Sequence, residues 1–401
     1  MKKNLKIISW KNFIIIFVIT IFYSYIATYS AVMKISIINP KNLLIFSIIL
    51  VLYLNFATPN KLFFIKIPIL KWLLVYIVII FIWFILPNNY MDIEEFKKFI
   101  FSILFFLTMT ILIANDDNQF SKTRITLLFI TLLAISNNIY EFFHPFAFYS
   151  INSDYNIIGR SAGFYVDPNI AGQAILFGLI FSYEIVPKTL KIPFILLTFI
   201  GVLVTFSRGS LVGWSIIMFL FFKYRLIDKK TTIVLFMTFL SLIIFFLPLL
   251  YDLIINNFNN PTNLLNRLNF FTGSSHIDRS ELERLKIGIS AFNLFADNPI
   301  FGSGLSIIRH WKYSVAPHNI YLTLMAQFGL IGLFSYIYLI YTLIGNAKGE
   351  VKILGKVFLG YFLFLGLTTH NILTAYQTII AMTLMSNMSY RSYLVYKKGF
   401  S

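Results

Sequence analysis

His318 lies in Ala316-Pro317-His318-Asn319, immediately before an apolar run that begins at Ile320. The proline constrains the backbone on one side and a helix is predicted on the other, so the imidazole is held at a membrane boundary. Histidine is the side chain best suited to exchange a proton near neutral pH, and general acid–base work is the chemistry this position can do. A structural histidine at an interface fits the residue equally well. His370, in Thr368-Thr369-His370-Asn371, has a similar boundary position.

Two arginines sit where a guanidinium is hard to explain as a solvated surface charge. Arg208 lies in Phe206-Ser207-Arg208-Gly209-Ser210, between apolar segments with almost no loop between them. An arginine there must snorkel, pair or line a polar cavity. Ser207, Gly209 and Ser210 are small enough for a ligand to approach closely. Arg160 lies in Gly159-Arg160-Ser161-Ala162-Gly163, followed by Asp167-Pro168-Asn169. Asp167 or Asn169 can cap the next helix, whose amides can help hold an anion; an ordinary capped turn is the alternative. Metal chemistry has no comparable support: H-E-x-x-H is absent, no acidic pair has ligand spacing, and the chain has no cysteine.

The elements that position these residues are membrane helices. Of 401 residues 58% are apolar and 12% charged, which excludes an ordinary soluble domain. The expectation is an all-α integral membrane protein with about 12 transmembrane helices, the sixth to ninth near 169–186, 191–207, 210–223 and 231–250. The domains expected are residues 1–250 with helices 1–9, a periplasmic loop 251–318, and residues 319–401 with helices 10–12 and a cytoplasmic tail. The net charge of +17 does not call for nucleic acid, because the lysines fall in short loops and set orientation. With both termini cytoplasmic, most basic residues lie inside. The histidines and six arginines fall on or near the outer face, where planar guanidinium donors suit phosphate or carboxylate.

Within the long loop, Arg279 to Ala296 reads as an amphipathic helix, with Leu282, Leu285, Ile289 and Phe292 at three- and four-residue spacing. Arg284 on that helix is either solvated or turned toward a cavity. Asp297-Asn298-Pro299-Ile300-Phe301-Gly302-Ser303-Gly304 then supplies a helix stop and a constrained turn.

In this order the segments resemble the O-antigen ligase and O-antigen (Wzy-type) polymerase family. The matching residues are Gly159-Arg160-Ser161-Ala162-Gly163 with Asp167-Pro168-Asn169, the Ser207-Arg208-Gly209 turn, and the Glu283-Arg284 helix leading to Asn298-Pro299-Ile300-Phe301-Gly302-Ser303-Gly304. Pro317-His318-Asn319-Ile320-Tyr321-Leu322 with Gly329-Leu330-Ile331-Gly332 completes the set. The resemblance implies metal-independent, inverting glycan transfer, without a cofactor, from an undecaprenyl-pyrophosphate donor at the periplasmic face of the bacterial inner membrane. By residue-wise match, Arg160, Arg208 and Arg284 contact the pyrophosphate and His318 activates the acceptor hydroxyl; Asp167, Asn169, Ser207, Asn319 and His370 support them. Where many relatives have an acidic residue after the histidine motif, this chain has Gln327.

The acceptor is another carrier-linked repeat unit for a polymerase, or lipid A-core for a ligase; polymerase is the reading preferred. The partners implied are the polyprenyl-pyrophosphate-linked glycan donor, the acceptor glycan and membrane lipid, with a chain-length regulator as a further candidate. A transporter or flippase of lipid-linked oligosaccharide is the alternative from another class.

Overall fold

A computed structural model describes residues 2–34, 39–56, 67–85, 93–113, 117–145, 147–149, 160–228, 230, 234, 279–313 and 315–398. Their regular structure is helical, with no strand among the described residues. In chain order the helices are α1 (Lys2–Tyr23), α2 (Ile26–Val32), α3 (Pro40–Phe56), α4 (Pro68–Ile85), α5 (Ile93–Ile113), α6 (Asp117–Phe143) and α7 (Pro168–Ser182). They continue as α8 (Lys191–Leu203), α9 (Arg208–Lys223), α10 (Arg279–Asp297), α11 (Ile307–His310), α12 (Ile320–Ile344), α13 (Gly349–Thr368) and α14 (Tyr376–Lys398). The chain divides into two compact units, Met1–Leu127 with Glu283–Ser401, and Leu128–Leu282.

Among the described residues five helices are long and apolar enough to cross a membrane: α4, α5, Phe120–Phe143 of α6, α12 and α13. The pair Asn12–Tyr23 and Ile26–Val32 makes a sixth if its 49° bend is one broken span. Tyr25, at φ 60°, forms that break. The expected runs 169–186, 191–207 and 210–223 are helices of 15, 13 and 16 residues, shorter than the roughly 20 an upright span needs. Apart from Val234, the expected span 231–250 and loop residues 251–278 lie outside the described residues.

In the first unit α14 is the central helix, buried from Gln377 through Tyr390 and packed on α1, α4, α5, α12 and α13. Two of its buried polar side chains are satisfied within the helix or by a neighbouring one. Asn387 Nδ2 donates to the Thr383 carbonyl at 2.8 Å, and Ser386 Oγ to the Thr342 carbonyl at 3.2 Å. Trp72 Nε1 ties α4 to α12 by donating to the Ser335 carbonyl at 2.9 Å.

The glycine-rich turn after α10 docks backbone to backbone against a kink in α12 at Gly329 (φ 64°, ψ −148°). Ser303 N donates to Ala326 O at 2.8 Å, Gly304 N to Gln327 O at 3.1 Å, and Leu330 N to Pro299 O at 2.8 Å. These bonds satisfy backbone groups released by the kink. A Cβ on Gly329 would lie 2.5 Å from the Ile300 carbonyl carbon, and one on Gly302 (φ +69°) 2.5 Å from the Phe328 nitrogen. Gly329→Ala is therefore expected to destabilise the protein by about 3 kcal/mol or more, because strain and a backbone clash add. Gly349 also has positive φ, but a Cβ added there would meet nothing within 4 Å, so Gly349→Ala should cost only about 1 kcal/mol. Equal thermal unfolding midpoints for the two variants would refute the docking role.

The second unit is built on α7, whose residues from Ala171 through Ser182 are buried, packed against α8 and α9. Small residues permit the close crossings. Gly172 faces Ser210 of α9, and Gly178 faces Thr131 of α6.

Candidate active site

In the second unit three segments meet in one hydrogen-bonded cluster. Asp167 caps α7 by accepting from Asn169 N at 2.6 Å, which leaves the Asn169 side chain for other contacts. Arg160 Nη2 donates to Asn169 Oδ1 at 3.1 Å and its Nε to the Thr205 carbonyl at 3.1 Å. Ser207 Oγ donates to the same Asn169 oxygen at 2.9 Å. Ser207 also caps α9 by accepting from Ser210 N at 3.3 Å, so Arg208 begins α9 directly beside the cluster. The sequence left Asp167 and Asn169 as rival caps. Asp167 is the cap, and Asn169 instead joins the arginine to the serine turn.

Glu141, which sequence reasoning missed, holds this arrangement from α6. Its Oε2 accepts from Ala162 N and Gly163 N, both at 2.6 Å, while Tyr149 Oη donates to Gly163 O at 2.8 Å. A carboxylate in the last turn of α6, between Tyr140 and Phe142, was the available signal, since a buried acid needs donors.

In the first unit, α12 begins at the boundary the sequence marked. Asn319 caps it, its Oδ1 accepting from Leu322 N at 3.1 Å, and His318 precedes the cap. The imidazole meets that of His370 edge-on, ring centroids 5.6 Å apart. His370, from the connection between α13 and α14, lines a cavity of about 310 Å³ whose other polar walls include Glu95, Lys98, Arg309, Thr323 and Gln327. Gln327, where the resemblance led one to look for an acid, is a brace: its Nε2 donates to the Leu305 carbonyl at 2.6 Å. Glu95 and Lys98 pair at 3.1 Å on α5. These groups can orient a polar ligand and accept a proton from it.

Residues 193–337 match the family model for O-antigen ligase. The chain thus carries an O-antigen ligase domain, and the resemblance read from its motifs holds. Comparison with curated proteins gives no match. The O-antigen ligase domain includes Ser207, Arg208, Arg284, His318 and Asn319; Arg160, Asp167, Asn169 and His370 lie outside it.

Within the O-antigen ligase domain, α10 forms where the spacing predicted, but its buried stripe is a different one. Leu285, Ile289 and Phe292 are about half exposed, whereas Ile287 and Ala291 are buried. Ala291 packs with Ile308 and Ala326, flanked by Leu294 and Leu322. Arg284 is exposed and does not line the cavity, whereas Arg309 does. Arg309, one of the six arginines expected on or near the outer face, lies in a four-residue helix, α11, with no periodic signal, so no motif singled it out.

Burial pushes the His370 imidazole down to about 4, with His318 and then Lys98 adding to the effect. An unfolded histidine titrates near 6.5, so between about pH 6.5 and 4 the unfolded chain binds more protons. Stability from neutral His370 is full above about pH 6.5 and declines as pH falls toward 4. The expected loss is of the order of 1–3 kcal/mol. Thermal unfolding of the purified protein should show this decline, and His370→Gln should flatten it; an unchanged slope would exclude His370 as its source.

Proposed function

We propose that the protein transfers a glycan from an undecaprenyl-pyrophosphate donor to an acceptor sugar at the periplasmic face of the inner membrane, by a metal-independent, inverting displacement. The O-antigen ligase domain and the candidate membrane spans support this reading. The observation that carries it is the edge-on contact of His318, just before α12, with His370, which lines a polar cavity.

In the proposed reaction the acceptor hydroxyl oxygen forms a bond to the anomeric carbon while the bond from that carbon to the pyrophosphate oxygen breaks. The bonding electrons leave with the pyrophosphate, and the hydroxyl proton passes to His318. Attack opposite the leaving group inverts the anomeric carbon. Arg160 and Arg208 are assigned to the pyrophosphate, where fixed guanidinium donors strengthen as negative charge accumulates. Asp167, Asn169 and Ser207 position them, and Asn319 positions His318. Arg284 is assigned to the donor more loosely, from an exposed helix.

The acceptor proposed is a second carrier-linked repeat unit, making the reaction O-antigen polymerisation. The family description, O-antigen ligase, favours a second reading in which lipid A-core is the acceptor. Gene deletion followed by analysis of carrier-linked and lipid A-linked glycans separates them. Loss of chain extension on the carrier is expected for a polymerase, and long carrier-linked chains that never reach lipid A indicate the ligase. Normal glycans of both kinds would overturn the transfer reading.

A further inference from the structure

His370 lies outside the O-antigen ligase domain, yet it forms part of the cavity wall. Its connection is internally braced. Thr369 Oγ1 donates to Asn371 Oδ1 at 2.7 Å, and the Asn371 carbonyl accepts from Thr374 N and Ala375 N at 3.0 and 2.9 Å. The imidazole is therefore presented by an ordered turn, edge-on to His318 at 5.6 Å between centroids. Such bracing is what a binding group requires.

Nδ1 of His370 is buried with no hydrogen-bond partner among the described residues. An orphaned N–H is a worse occupant of such a position than a bare lone pair. The ring proton is thus placed on Nε2, and Nε2–H becomes the hydrogen-bonding edge of the ring. Burial keeps the ring uncharged, so it suits a neutral hydroxyl better than a phosphate. The charged groups on the cavity wall are Glu95, Lys98 and Arg309, with Glu95 and Lys98 paired to each other. Ile320 and Leu373 supply apolar surface of the kind the carbon face of a sugar ring covers. The volume of about 310 Å³ lies at the small end of ligand sites.

We propose that His370 is a carbohydrate-binding residue of this cavity, hydrogen-bonding a hydroxyl of the acceptor sugar and so holding the reacting hydroxyl beside His318. The assignment rests on the glycan-transfer reading above.

The test compares His370→Gln with His370→Met, side chains of similar length and shape of which only glutamine hydrogen-bonds; His370→Leu serves as a second apolar variant. The full chain is reconstituted in lipid nanodiscs and checked for folding by size exclusion. The donor is the lipid-linked repeat unit extracted from cells lacking the gene, and the acceptor is the same oligosaccharide released from its lipid by mild acid. His370→Gln should keep the acceptor KM within about threefold of the unsubstituted protein. The apolar variants should raise it about tenfold, the worth of one neutral hydrogen bond, with donor KM unchanged. Equal acceptor KM in glutamine and apolar variants, with active unsubstituted protein, overturns the role of His370 and leaves glycan transfer standing. Absence of glycosidic-bond formation by the unsubstituted protein removes both.

Discussion

Alanine in place of His318 is expected to reduce glycan transfer by about 10²–10⁴-fold, the usual worth of a positioned general base. Folding should survive, because the boundary is secured by its neighbours. Asn319 caps α12 through Leu322 N at 3.1 Å, and Pro317 is buried. Donor binding should change little, since the imidazole is assigned to the acceptor proton and not to the pyrophosphate. Initial rates with saturating donor and acceptor, using protein that elutes as the unsubstituted chain does, provide the measurement. Transfer within a few-fold of normal would remove His318 as the base.

Lysine in place of Arg208 is expected to lower kcat/KM for the lipid-linked donor by about 10–100-fold, or roughly 1.4–2.7 kcal/mol of transition-state stabilisation. The positive charge remains, but the planar fork that matches two phosphate oxygens is lost. The fold should tolerate the exchange, since the α9 cap is made by Ser207 with Ser210 N at 3.3 Å and does not use the guanidinium. Arg160→Lys provides the contrast. Its Nε and Nη2 bonds to Thr205 and Asn169, both 3.1 Å, hold the cluster together, so the unfolding midpoint should fall along with activity. If the Arg208 variant turns donor over normally, bidentate phosphate recognition at that position is wrong.

Signals confined to a few consecutive residues were legible in the chain. The cap of α7 was placed to within two residues, at Asp167 or Asn169, and Asp167 makes it, because a cap bond spans two or three residues and needs no distant partner. The apolar runs marked the helices for the same reason. Their number as membrane spans was less legible: composition extends a run, whereas the folded backbone ends α8 at Leu203 and starts α9 at Arg208. The spacing along α10 carried a period without a phase. Leu285, Ile289 and Phe292 recur on one face, yet the face that packs carries Ile287 and Ala291, because a pattern of apolar residues does not state what lies opposite.

Residue order alone specified a helical membrane protein with an ordered set of polar motifs, and those motifs sufficed to recognise the O-antigen ligase family. What each polar residue touches was set by the packed molecule. Glu141 reaches the amides of Ala162 and Gly163, Gln327 reaches the Leu305 carbonyl, and His370 comes within 5.6 Å of His318. Each partner lies about twenty residues or more away in the chain. Such contacts depend on how helices turn about their axes and cross, which is fixed by the packing of whole faces and not by local preference.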